Sequence, residues 1–182
     1  MSPADKPARK QEVDKFFNDF QGELLGFLLN MGLNLVDAED VLNECFLVIW
    51  RYWHKIGDSN PRAYLYAVAR NRVAELRRTR GNRPEKPLSD PTAAITVDPA
   101  VISVDFTQQV VDWETMRWAL QQLLERHREA VLLRYYIGCN LAETAMIMGV
   151  ETGTVKRYAS DGLKKLRVLT STNPPSRKEG TR

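Results

Sequence analysis

Cysteine and histidine are scarce in this chain of 182 residues. It holds Cys45 and Cys139, far apart, and His54 and His127, none at a spacing that gathers metal ligands. That argues against a zinc site and against a disulfide-stapled secreted fold. Neither histidine has an evident carboxylate or nucleophile partner, and no P-loop is visible, so the chain reads as something other than an enzyme. Long apolar runs are missing as well. None approaches the ~18 residues that a spanning helix needs, and the opening stretch MSPADKPARKQEVDK lacks an apolar segment of signal-peptide type. The expectation is a soluble cytoplasmic protein without metal or cofactor. Repeats at solenoid periods are absent. The formal net charge of +3 is too small to announce a polyanionic partner, so any such partner has to be read from where the charges sit.

What is present is enough apolar residue, 43%, to bury a core, in two blocks of helical period. In the first block, Phe16, Phe17, Phe20, Leu24, Phe27, Leu28 and Met31 recur at steps of three and four, one face of a buried helix. A second helix follows, with Asp37 as its expected N-cap and Asp40 three residues on. Its stripe of Leu42, Cys45, Phe46, Ile49 and Trp53 leaves Asp40, Asn43, Glu44 and Leu47 on an acidic, partly apolar outer side. After the loop GDSN, Asn60 as cap and Pro61 at the first helical position start a third helix. Tyr64, Leu65, Val68, Ala69, Val73 and Leu76 supply its buried face. Between Arg62 and Arg83 it carries seven arginines against Glu75 alone. Arginine concentrated on one helix suits phosphate contacts.

Residues 84–112 differ in character. Pro84, Pro87, Pro91 and Pro99 interrupt any helical period, and five acidic residues stand against Lys86. This reads as an acidic linker. Residues 1–12, and the tail from Ser171, are polar and read as disordered.

The second block predicts one helix over Trp113, Met116, Leu120, Leu123 and Leu124, and another over Val131, Leu132, Tyr135 and Tyr136, ended by Gly138. Asn140 and Glu143 form a capping box for the next. In LAETAMIMGVETGTVKRYAS, Ala145 is a small residue where two helices could cross, and Gly149 a turn able to take positive φ. Met148, Val150, Val155 and Tyr158 point inward. That is the spacing of a helix-turn-helix. With Thr152 capping the second helix, Gly153, Thr154, Lys156, Arg157 and Ser160 fall on its early outward positions, where a major groove is read.

Four segments, VDAEDVLNECFLVIWR, NPRAYLYAVARNRVAELRR, LLERHREAVLLRYYIG and MGVETGTVKRY, in this order and at these separations, resemble the bacterial RNA polymerase sigma factors of the extracytoplasmic-function group, within the sigma-70 family. The resemblance implies an all-α chain of two small helical domains: a sigma2-like bundle at 13–83 and a sigma4-like helix-turn-helix domain at 113–169. The flexible acidic linker 84–112 would join them and pass through the RNA exit channel, with residues 1–12 and 170–182 outside. It further implies promoter-specific initiation of transcription with core RNA polymerase, through the beta-prime clamp helices and the beta flap. Asp40, Asn43, Glu44 and Leu47 would face core. Asp58, Ser59, Asn60, Arg62, Arg70, Asn71 and Arg72 would serve the minus-10 element, the loop holding an unstacked base of the non-template strand. Thr152, Gly153, Thr154, Lys156, Arg157 and Ser160 would lie at the minus-35 element. Members of the group are often held by an anti-sigma protein. The chain departs from the family's usual residues at Leu124, Thr144, Asp161 and Gly162. The last two are expected to leave the later recognition helix less basic and less stiff. A stand-alone helix-turn-helix regulator would account for residues 113–169 equally well, but leaves the Asp37 to Trp53 helix and the arginine-rich helix without a purpose.

Overall fold

A computed structural model describes residues 5–80 and 113–172; the acidic linker and the end of the tail lie outside the described residues. Seven α-helices are described, with no strand among these residues. The first unit contains α1 (Asp5–Asn30), α2 (Leu35–Ile56) and α3 (Pro61–Thr79). The second contains α4 (Trp113–Gln121), α5 (Glu125–Val131), which runs on through a π turn (Leu132–Tyr136), then α6 (Leu141–Met148) and α7 (Thr152–Thr172).

In the first unit, α2 packs on both α1 and α3. The expected stripes meet there: Leu24, Phe27, Leu28, Met31, Cys45, Ile49, Leu65, Ala69 and Val73 are almost wholly buried. Tyr66, absent from the sequence-derived stripe, is fully buried. Its ring stands edge-on to Phe27 at 5.2 Å and its hydroxyl donates to Glu23 Oε1 at 2.5 Å. Burial first, then the neighbouring Glu23 charge, holds its phenol well above the usual tyrosine range.

Two helix starts differ from expectation. The stretch read as disordered is helical from Asp5. Arg9 donates to the Trp50 carbonyl at 2.7 Å and Trp53 Nε1 donates to Glu12 at 2.9 Å, so tertiary contacts on α2 offset a polar composition. At α2 the cap is Asn34, whose Oδ1 accepts from the Asp37 N–H at 2.9 Å. Asp37 sits one turn in, buried, and accepts from Arg80 Nη2 at 2.7 Å. That bond holds its carboxyl below the ordinary range against the opposing effect of burial.

The second unit corrects two further expectations. Leu124 does not continue the apolar stripe of α4; it is the exposed residue preceding α5. Gly162 is not a soft spot in α7. It is a close approach, because a Cβ there would stand 2.7 Å from Val131 Cγ2 and 3.2 Å from the His127 carbonyl oxygen on α5. In an open helical site Gly→Ala gains about 1 kcal/mol. Gly162→Ala is expected to lose about 1–2 kcal/mol, since overpacking against a short, stiff valine and backbone outweighs the propensity gain. Urea denaturation reads the sign directly, and a stabilised variant contradicts the close approach.

The two units are not separate beads. Buried apolar residues of both form one cluster, α3 lies against α6, and α1 touches α4 and the π turn.

Candidate nucleic-acid interface

The turn between α6 and α7 is built by local chemistry. Asn140 Oδ1 accepts from the Glu143 N–H at 2.9 Å, while Glu143 Oε2 accepts from the Asn140 N–H at 2.8 Å, the reciprocal capping box. Thr144 is fully buried, and its hydroxyl donates back to the Asn140 carbonyl at 2.8 Å, leaving no unsatisfied polar group. Gly149 ends α6 in the left-handed region at φ 64°, ψ 40°, and the next N–H, of Val150, bonds the Ala145 carbonyl at 3.1 Å. Ala145 is buried at the crossing. Val155, Ala159 and Leu166 then aim α7 into the core.

That orientation exposes Thr152, Gly153, Lys156, Arg157 and Ser160, with Thr154 half-buried. Thr152 is the first residue of α7 rather than its cap; the Glu151 carbonyl already accepts from Thr154 and Val155. Tyr158 is half-buried, edge-on to His127 at 5.3 Å, with the Arg157 guanidinium 5.6 Å from its ring. Beside Lys156 lies a groove of about 400 Å³ whose charged lining is Arg134, Lys156, Lys164 and Arg167. Sequence reasoning missed Arg134, Lys164 and Arg167. The signal for two of them was available, since Lys156, Ser160, Lys164 and Arg167 are spaced four, four and three, one helical stripe. The later part of α7 is therefore basic on this side, with Asp161 3.7 Å from Lys164 as a local offset.

On the first unit, Asp40, Asn43, Glu44 and Leu47 are all exposed on the outer face of α2, and Trp50 extends it. The minus-10 candidates divide. Asp58, Ser59, Asn60 and Asn71 are exposed. The three arginines are engaged: Arg62 with Glu23 at 3.0 Å, Arg70 with Glu129, and Arg72 with Glu75 at 3.0 Å and Glu44 at 3.4 Å. The structure thus joins Arg72 to a core-facing candidate and Arg70 to the other unit.

Residues 16–83 match the family Sigma-70 region 2, and residues 119–168 match Sigma-70, region 4. The chain belongs to the sigma-70 family, in its extracytoplasmic-function group. Among similar sigma factors, SigL of Mycobacterium tuberculosis is 29% identical over 84% of this chain and 85% of its own length. SigM of Bacillus subtilis is 27% identical over 86% and 94%. The fold is that of the sigma factor RpoE of Bartonella quintana, solved with the anti-sigma factor NepR. The TM-score is 0.68 at 21% identity, over 88% of this chain and 97% of that one. CnrH, solved with the cytosolic domain of CnrY, gives 0.62 at 18%, over 93% and 99%.

The turn between α6 and α7 falls within the region 4 match, and the outer face of α2 and the arginine helix fall within the region 2 match. Among the described residues no helix is long and apolar enough to cross a membrane, and no cluster of His, Cys, Asp and Glu could hold a metal ion. Cys45 and Cys139 are free and buried, and burial pushes their thiols up to about 12 and about 11. Neither offers a thiolate near neutral pH.

Proposed function

We propose that this sigma factor binds core RNA polymerase through the outer face of α2 and grips a two-element promoter from both units. Residues 13–83 take core and the minus-10 element, and residues 113–169 take the minus-35 element, with 84–112 linking them. Asp40, Asn43, Glu44 and Leu47 dock on core. Asp58, Ser59, Asn60, Arg62, Arg70, Asn71 and Arg72 receive the melted minus-10 strand, whose opening is favoured by capturing an unstacked base. Thr152, Gly153, Thr154, Lys156, Arg157 and Ser160 meet the minus-35 duplex. The protein performs no catalysis of its own and works in the cytoplasm, where core polymerase is. An anti-sigma protein is a further partner, in keeping with the fold relative RpoE, solved with the anti-sigma factor NepR.

The observation carrying this reading is the left-handed Gly149 turn, which presents the outward residues of α7 on a chain that also exposes the four α2 residues. Run-off transcription with purified core on a genomic fragment library tests it. New start sites appear on adding the protein. If none appear while it still binds duplex DNA, the stand-alone regulator replaces it. Glu44→Arg separates core docking from folding. Glu44 is half-exposed and its pairing with Arg72 is a surface one, so its loss costs at most ~1 kcal/mol of stability. Reversing its charge at a docking face is expected to weaken core binding by about tenfold or more. Binding at wild-type strength removes Glu44 from that face.

A further inference from the structure

Both ends of the loop 57–60 are tied to one stripe of α1. Glu12, Phe16, Phe20 and Glu23 are spaced four, four and three residues apart, one side of that helix. Glu12 accepts from Trp53 Nε1 at 2.9 Å, and the Phe16 ring stands 5.3 Å from the Trp53 ring. Trp53 in turn supports the first residue of the loop, because a Cβ at Gly57 would stand 3.1 Å from the indole Nε1 and 3.2 Å from Cε2. Beyond the loop, the Arg62 guanidinium lies 5.6 Å from the Phe20 ring and pairs with Glu23 at 3.0 Å. Phe16 and Phe20 join the two supports, with 4.7 Å between their centroids. Within the loop, the Ile56 carbonyl accepts from the Ser59 N–H at 3.0 Å and from the Ser59 hydroxyl at 2.9 Å. Asn60 then caps α3, its Oδ1 accepting from the Ala63 N–H at 2.9 Å.

We propose that this stripe of α1 positions the loop for base capture: through Trp53 before the loop and Arg62 after it, side chains on α1 that touch no DNA set how sharply the minus-10 base is chosen. This rests on reading 57–60 as the base-receiving loop. The hydrogen bonds inside the loop fix the shape of its turn. They do not by themselves fix where the turn points, which depends on what holds the residues at its two ends. A pocket tells one base from another only while its donors and acceptors stay within about 0.5 Å of the productive geometry, and that takes supporting side chains locked by packing and hydrogen bonds. Trp53 is such a support. The indole N–H is its only side-chain donor, so the bond to Glu12 decides how the ring is turned against Gly57, while buried Phe16 braces the same ring. Glu12 itself is exposed, so its exchange leaves the fold nearly as stable. Together with Arg9, which donates to the Trp50 carbonyl at 2.7 Å, it gives the polar start of α1 a task at the end of α2.

The test uses holoenzyme assembled from purified core and the full chain or a variant. Each is mixed with a pool of single-stranded oligodeoxynucleotides randomised over a short central window, and the bound fraction is sequenced. Asp58→Ala, in the loop itself, marks the position that the loop reads as the one whose base preference it abolishes. Trp53→Phe keeps an aromatic ring but lacks the donor and offers Gly57 a smaller face. It is expected to lower the preference at that same position by about fivefold, the order of one net hydrogen bond, and to leave the other positions unchanged. Glu12→Ala is expected to act in the same direction. Glu12→Gln retains an acceptor oxygen and is expected to stay within about twofold of wild type. A merely structural role lowers binding at every position alike. That result, an unchanged preference in either Trp53→Phe or Glu12→Ala, or an equal loss in Glu12→Ala and Glu12→Gln, overturns the positioning role. If Trp53→Phe lowers helicity by circular dichroism, the two Glu12 variants decide alone. Should Asp58→Ala abolish preference at no position, in a holoenzyme that still starts transcription in the run-off assay, the base-capture reading of the loop is rejected instead, and the positioning role falls with it.

Discussion

Arg128→Met is expected to lower the stability of the protein by about 3–5 kcal/mol, a fifth or more of the ~5–15 kcal/mol that a native protein has. Arg128 is 9% exposed, and its guanidinium serves four carbonyls. Nε donates to Leu120 at 2.8 Å, Nη2 to Gln121 at 2.9 Å and Leu123 at 3.1 Å, and Nη1 to Met31 at 2.9 Å. Three of these oxygens belong to the last turn of α4 and the corner that follows, where a helix end leaves its carbonyls without partners. The fourth belongs to the first unit. Methionine fills much of the space but donates nothing, so the Gln121 and Leu123 carbonyls lose the guanidinium, while the Leu120 carbonyl keeps the Leu123 N–H at 3.1 Å and the Met31 carbonyl keeps Arg77. Burial pulls the Arg128 pKa down to about 10, still far above neutral, so the fork remains charged and fully donating at pH 7. Arg128→Lys keeps a charge and three donors but not the planar fork, and an intermediate loss is expected. Urea denaturation followed by circular dichroism ranks the three proteins. A loss below about 1 kcal/mol for Arg128→Met shows that water replaces the guanidinium and that the corner does not depend on it.

Nothing in the sequence around Arg128 marks it for this role, and the reason is general to this chain. Features decided within a few residues were legible. The Asn140 and Glu143 box, the Gly149 turn, the Asn60 cap before Pro61 and the exposed row from Asp40 to Leu47 all follow from spacing. Features decided by residues far away were not. Asn34 and Asp37 both have the chemistry of a cap, and the choice between them involves Arg80, forty-three residues beyond Asp37. The polar start of α1 is helical because Arg9 and Glu12 reach the end of α2. Gly162 looked like a weakness because the sequence cannot show how closely Val131 approaches it. The arginines of α3 are the instructive case. Their number and clustering suggested phosphate contacts, and the resemblance agreed, yet their partners in the structure include Glu23 on α1 and Glu125 and Glu129 on α5, two separate stretches of chain. Composition reported the charge of that helix correctly and was silent about what neutralises it.

On α7 the reading is least entangled with the rest of the fold, and there the functional effect is expected to be large. Lys156→Glu with Arg157→Glu is expected to cut transcription from a promoter that uses a minus-35 element by about 100-fold. Direct base contacts are worth about 1–3 kcal/mol each, and every phosphate deprived of its cationic side chain lowers the salt slope of DNA binding by about 0.9. Both side chains are exposed, while Val155 and Ala159 hold the helix in place from its buried side. The fold should therefore persist, and unchanged urea denaturation is part of the expected result. Core binding is also expected to stay at the wild-type level, because the α2 face is untouched. That contrasts with Glu44→Arg, which should lose transcription through core while retaining the affinity of α7 for duplex DNA. The two variants thus fail at different steps, and mixing experiments separate them: excess double variant still competes with wild type for core, whereas excess Glu44→Arg does not. Full transcription by the double variant removes Lys156 and Arg157 from the promoter contact and leaves Arg134, Lys164 and Arg167, the other charged residues lining the groove beside them, as the next to be reversed.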